Sequence, residues 1–202
     1  MCKNLIITFT RNPELGKVKS RLAKSIGKES ALTIYKILLE HTKNVLSKLE
    51  CDKAVYYSVK IRENDIWNAK MFSKHQQFGV DLGHRMQNAF ENGFKNGYNK
   101  IIIVGSDLYD LNTDIINEAF KALDTHDNVI GPAKDGGYYL LGMKALHSSV
   151  FDIDNWGTKT VYKQTITKLN NNSLYVLNTL NDIDYVEDLE PYAVFKPYLN
   201  QN

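Results

Sequence analysis

Four cationic side chains, Arg11, Lys17, Lys19 and Arg21, stand close together in the segment RNPELGKVKSRL at 11–22. Pro13 and Gly16 demand a turn or loop there, and the segment lies between a short β-rich run and a run of helical spacing. The backbone N–H groups at a helix start favour anions, and added Lys and Arg make a seat for a di- or triphosphate. The glycine spacing and Gly-Lys-Ser/Thr ending of a Walker loop are absent. A solvated basic helix start is the plain alternative.

Three further segments carry carboxylates. IIIVGSDLYDL at 101–111 reads as a buried strand that presents Asp107 and Asp110 at its carboxyl end. Magnesium takes one or two protein carboxylates and completes its octahedron with phosphate oxygens and water, so Asp107 beside a phosphate seat suffices as a ligand. The alternative is a helix cap near Thr113, a role that fits Asp110 better than Asp107. GPAKDGGYYLLG at 131–142 puts Asp135 at a loop tip before Gly136 and Gly137, where the backbone can approach a ligand. Asp135 could orient an acceptor hydroxyl or act as general base, or the segment could be a plain Asp-Gly-Gly hairpin turn. In TLNDIDYVEDL at 179–189, Asp182 and Asp184 alternate around Ile183 and share a side if the chain is extended. That pair could complete a metal site, with Glu187 and Asp188 in the first turn of a terminal helix, or the whole tract could be an acidic helix start. Trp156, in NWGTKTV, could wall a sugar or base, although core packing is the commoner use. His84 and Arg85 in DLGHRM sit near a helix start, and no H-x-x-x-H pair supports zinc.

The elements that position these residues alternate. Strands are expected at Leu5–Thr10, Lys53–Val59, Ile101–Val104, Asn128–Gly131, Tyr138–Met143 and Ser173–Leu177, from their β-branched and aromatic content. Between Ser20 and Leu49 apolar residues recur at helical spacing with a break at Gly27, which gives one long helix or two. A second helical stretch runs from Leu82 to Gly93. This βαβα order predicts an α/β fold with a mostly parallel central sheet, helices on both faces and ligands at the carboxyl ends of the strands. No repeat or linker divides the chain, so residues 1–202 are expected to form a single domain, with the KLNNN tract at 168–172 as a surface loop.

Composition narrows the partners. The 25 Lys and Arg nearly balance 23 Asp and Glu, so the molecule lacks the positive field that marks nucleic-acid binders. Cys2 and Cys51 show neither metal nor redox spacing, and reduced thiols and a cytoplasmic home are expected. The apolar run near the N-terminus is too short for a signal segment or a membrane span.

Taken in order, FTRNPELGKVKSRL, DLGHRM, VGSDLYDL, GPAKDGGYYLLG, NWGTKTV and DIDYVEDL resemble the bacterial glycosyltransferase-A-like family called selenodomain-associated transferase 1. The resemblance runs from about Phe9 to Leu189. It implies a nucleotide-diphospho-sugar transferase fold, related to the molybdenum-cofactor and phospholactate guanylyltransferases. By resemblance, Arg11, Lys17, Lys19 and Arg21 grip phosphates, Asp107 holds Mg²⁺ or Mn²⁺, and Asp184 offers a second metal ligand. Lys19-Ser20-Arg21-Leu22 keeps the hydroxyl and both cations of the usual Lys-Thr-Arg-Leu. Leu108-Tyr109 replaces the usual Cys-Pro, so the loop beyond Asp107 is expected to take another path. The expected activity is a metal-dependent transfer from an activated nucleotide, by glycosyl transfer from a nucleotide sugar to a small-molecule acceptor. Gly136, Gly137, Tyr138 and Trp156 would then line the substrate, with Asp135 and Asp107 catalytic. Nucleotidyl transfer from a nucleoside triphosphate with release of pyrophosphate, and nucleotide binding without turnover, are the alternatives.

Overall fold

The computed structural model describes residues 3–169 and 173–199; Cys2 and residues 170–172 of the expected loop lie outside them. The strands are β1 (Asn4–Thr10), β2 (Asp52–Tyr57), β3 (Ser73–Gln76), β4 (Lys100–Val104), β5 (Asn128–Pro132), β6 (Tyr138–Met143) and β7 (Leu174–Val176). They form one sheet in the order β3-β2-β1-β4-β6-β5-β7. Only β6 runs antiparallel to its neighbours, because a short hairpin joins it to β5. The remaining pairs are parallel, which leaves their carboxyl ends on one edge.

Parallel strands are covered on both faces and therefore read as continuous apolar runs. In β4 all five residues are buried. Ile6, Val55, Ile102 and Val104 face one layer, which holds α2 (Lys28–Ser47) and α4 (Thr113–Thr125). Leu5, Ile7, Ala54, Ile101 and Ile103 face the other, which holds α3 (Leu82–Lys95) and α5 (Val161–Lys168). Full burial of each such aliphatic side chain contributes about 1.5–3 kcal/mol, so both layers fix the register of the strands. The helical stretch after the basic loop is indeed divided at Gly27 into α1 (Ser20–Ile26) and α2, since Gly27 has φ of 84°.

Two differences from the sequence reading have plain causes. β3 has the sequence SKHQ, lies at a sheet edge and is only partly buried, so it carries no apolar alternation. The cap of α4 is Asn112, whose side chain accepts from the N–H groups of Asp114 and Ile115. Asp110 does not take that role; its carboxylate accepts from the Tyr192 hydroxyl at 2.7 Å. Leu108 enters the core, and Tyr109 packs on His41, Tyr192 and Phe195, which anchors the loop beyond Asp107. Among the described residues no helix is long and apolar enough to cross a membrane.

Candidate active site

Four chain segments meet at the carboxyl edge of the sheet. The loop after β1 is sewn down by Asn12, whose side chain donates to the Lys60 carbonyl at 2.8 Å and accepts from Val59 N–H at 3.0 Å. The Tyr35 hydroxyl of α2 accepts from Arg11 N–H at 2.9 Å. Lys19 ends this loop as the residue before α1, with φ 47° and ψ 48°, the one described non-glycine residue with positive φ. An L-residue in this left-handed region is strained by about 1–2 kcal/mol. The strain accompanies an inward turn of the side chain.

The Lys19 ammonium, on a side chain only 3% exposed, lies 2.9 Å from Asp107 Oδ2 and 3.1 Å from Asp184 Oδ1. Burial alone would push its pKa down, but Asp107 and Asp184 outweigh this and raise it. Arg21 reaches the other Asp184 oxygen at 2.9 Å. Although burial pulls the Asp184 carboxyl up, Lys19 and Arg21 together hold it below the usual carboxylate range. Arg11 and Lys17 are exposed and line the same cavity of 330 Å³ as Lys19, Arg21, Asp107 and Asp184.

Asp184 reaches Asp107 because the chain beyond β7 keeps following β5. Leu177 N–H donates to the Ile130 carbonyl, Leu180 N–H to Pro132, and Ile183 N–H to Asp107 itself. Ile183 and Leu189 then bury against α1 and α2. Asp188 accepts from the N–H groups of Asp184 and Tyr185, which closes the turn into the 3-10 helix Val186–Leu189. That short helix stands where a terminal helix is expected.

Asp182 is the least compensated of the acids. One of its oxygens is buried with no hydrogen-bond partner among the described residues. Burial first, and then the charges of Asp107 and Asp135, push its carboxyl up to about 7. The folded state therefore holds a proton that the unfolded chain releases, and stability falls as pH rises from the ordinary carboxylate range through about 7. Asp182→Asn is expected to raise stability above pH 7.5 by about 2–4 kcal/mol and to leave it nearly unchanged at pH 4. Melting curves of both proteins across that range test this, and parallel pH profiles would overturn it.

Asp135 lies at the tip of the β5–β6 hairpin, where its Oδ1 accepts from Gly137 N–H at 2.8 Å. The tip is thus a turn and also a wall of the cleft, since Asp135 lines three adjoining cavities. Gly136 has φ of 91°, and a Cβ there would meet the Lys159 carbonyl at 2.3 Å. The hairpin is further tied by Tyr162 N–H to the Gly136 carbonyl. Trp156 packs edge-on to Tyr138 at 6.5 Å and against the bare Cα of Gly83, where a Cβ would meet its Nε1 at 2.6 Å. His84 and Arg85 are engaged locally, with Asp81 and the Gly79 carbonyl. A cavity of 690 Å³ beyond Arg11, between α2 and residues 62–67, is reached by none of the four clustered aspartates.

The arrangement places Asp107, Asp135, Asp182 and Asp184 in adjoining cavities with Lys19 and Arg21. Asn12 and Tyr35 were not legible as parts of it. Tyr35 reads in sequence as one more apolar position of α2, and Asn12 as a turn residue before Pro13.

This fold, with the clustered aspartates at the carboxyl edge of a mostly parallel sheet, is that of nucleotide-diphospho-sugar transferases and cytidylyltransferases. A solved protein of Desulfovibrio desulfuricans G20, described as a candidate nucleotide-diphospho-sugar transferase, is 32% identical over 97% of this chain and 89% of its own, with a TM-score of 0.85. A cytidylyltransferase from Leptospira borgpetersenii serovar Hardjo-bovis (strain JB197) aligns over 100% and 99% of the two chains at 12% identity and a TM-score of 0.58. The CMP:2-keto-3-deoxy-manno-octonic acid synthetase complexed with CTP aligns over 94% and 96% at 10% identity and a TM-score of 0.54. The last two likenesses are of fold alone. No curated protein matches the chain. The chain belongs to the family of uncharacterized proteins conserved in bacteria designated DUF2064, whose model matches residues 41–158. The basic loop and the Asp182–Asp184 segment lie outside that match.

Proposed function

We propose that the protein is a metal-dependent transferase that uses an activated nucleotide, in the first place a nucleotide-sugar glycosyltransferase of the selenodomain-associated transferase 1 kind. The observation that carries this reading is the buried Lys19 ammonium between Asp107 and Asp184, in a cavity whose other walls include Arg11, Lys17 and Arg21. Such a set is built for a polyanion and its counter-cation.

The donor chemistry suits Mg²⁺ or Mn²⁺. Among the described residues no three acidic, histidine or cysteine side chains form a ready-made cage, and Mg²⁺ commonly takes one or two carboxylates and fills the rest with phosphate oxygens and water. Asp107 and Asp184 would hold the ion. The chemistry such an ion would supply there is neutralisation of the charge on the departing diphosphate. Arg11, Lys17, Lys19 and Arg21 bind the phosphates and stabilise the same developing charge electrostatically. Gly136, Gly137, Tyr138 and Trp156 border the acceptor and sugar, and Asp135 takes the proton of the attacking hydroxyl in an inverting reaction.

Nucleotidyl transfer is the second reading, and one observation favours it. Lys134 and Lys159 line a neighbouring cavity of 420 Å³ with Arg21, so a phosphorylated acceptor has cations to meet it. Incubation with nucleotide sugars or nucleoside triphosphates, Mg²⁺ and candidate acceptors separates the two by product. Release of a nucleoside diphosphate is expected. Pyrophosphate would establish the second reading instead, and metal-dependent binding without either product would leave a binding module.

A further inference from the structure

Two cavities leave the aspartate cluster with opposite chemistry. The 330 Å³ cavity carries the cations Arg11, Lys17, Lys19 and Arg21. The other, of 210 Å³, lies between the ends of β1 and β4, the hairpin and the start of α3. Its walls are Phe9, Met86, Tyr138, Trp156 and Val161, and Asp135 and Asp182 stand at the end it shares with the cluster. Among the described residues no Lys or Arg lines it. The aromatic wall is fixed rather than adaptable, because Trp156 is held between Tyr138 and Gly83.

We propose that this cavity receives an uncharged, hydroxylated six-membered ring and rejects a ring that carries a carboxylate or phosphate. The inference rests on the nucleotide-sugar reading and names the substrate class within it. Hydroxyls donate to carboxylate oxygens, and Asp182 offers an oxygen with no hydrogen-bond partner among the described residues. The C–H faces of a pyranose pack on aromatic rings. An anionic substituent would meet the Asp135 and Asp182 carboxyl groups at a wall that, among the described residues, carries no Lys or Arg of its own. The ring's source is either the glycosyl group of the donor or a neutral acceptor, and both satisfy the same walls.

Calorimetric titration of the full chain with Mg²⁺ decides it, with matched UDP- and GDP-linked hexose and hexuronic acid pairs and the parent diphosphates. The hexose is expected to bind at least about tenfold more tightly than its hexuronate partner, since like-charge juxtaposition is what suppresses a wrong ligand. Thr158→Lys puts an ammonium at the exposed mouth of the cavity, and Asp135→Asn removes one repelling charge; each should bring the ratio towards unity. If donor pairs bind alike, the protein saturated with nucleoside diphosphate is titrated with methyl hexoside and methyl hexuronoside. A preference for the neutral glycoside assigns the cavity to the acceptor. Equal affinities in both arms, or a tighter hexuronate, overturn the proposal and leave the nucleotide-sugar reading standing. Absence of any nucleotide binding defeats that reading and the proposal with it.

Discussion

Asp107→Ala is expected to abolish the metal-dependent part of nucleotide binding and to lower turnover by about 10²–10⁴-fold, as loss of several kcal/mol of metal-supplied charge stabilisation requires. In the wild type, a nucleotide at a hundred times its Kd stabilises the folded state by about 2.7 kcal/mol, a rise in Tm of about 5–10 °C for a chain of this size. In the variant, the Tm with nucleotide should be the same with and without Mg²⁺ or Mn²⁺. The fold should survive, because two effects offset the loss of the Lys19–Asp107 pair. Lys19 keeps Asp184 as partner, and Asp182 loses one of the charges that push its carboxyl up. Asp107→Asn preserves shape and separates lost ligation from lost packing. A full metal-dependent shift in Asp107→Ala would remove Asp107 from the metal site in every reading offered above.

The parts of this molecule that were legible in sequence are those set by local chemistry. The apolar runs of β1, β4, β5 and β6 and the glycine at 27 carry their own structural cause, buried faces in the first case and a positive φ in the second. Asp107 was legible because a buried strand ending in Gly105-Ser106-Asp107 must deliver that aspartate to the carboxyl edge. What sequence could not carry was charge compensation. Lys19 and Arg21 read as anion-binding cations, yet both are engaged by Asp184, and Lys19 also by Asp107. Those contacts depend on the path of residues 174–184 along β5, a long-range pairing with no local signature. Asp182 and Asp184 look alike in an alternating pair, but only the fold shows that two cations serve one and a buried, unpartnered oxygen remains on the other. β3 was illegible for the opposite reason, since this edge strand of polar residues pairs in the sheet with β2 and is otherwise tied by side-chain contacts such as those of Lys74 to Asp65 and to the Arg62 and Glu63 carbonyls, none of which has a local apolar signature.

Because the cluster is so nearly self-neutralising, Lys19 is the residue whose removal should disturb it most. Lys19→Met leaves Asp107, Asp182 and Asp184 close together with Arg21, on Asp184, as the remaining direct ion-pair partner among the described residues, and a stability loss of about 1–3 kcal/mol is expected. That is below the usual cost of breaking a buried pair because both carboxylates are partly solvated. The sign with pH follows from the carboxylates. Asp184 is held below its unfolded pKa in the wild type, so the stability it contributes is present above the ordinary carboxylate range and lost as pH falls through the lowered folded value. Asp182, whose carboxyl Lys19 helps to restrain, would rise further and make the variant lose stability more steeply between about pH 5 and 8. The deficit should therefore be largest at neutral pH and fade in acid. Lys19→Gly removes the same charge but relieves the left-handed backbone, so it should be more stable than Lys19→Met by about 1 kcal/mol. Denaturant unfolding of the two variants at pH 4 and pH 8 reads charge and strain separately. If both matched the wild type at pH 8, Lys19 would not be the counter-ion of the folded cluster, and its backbone conformation would need another cause.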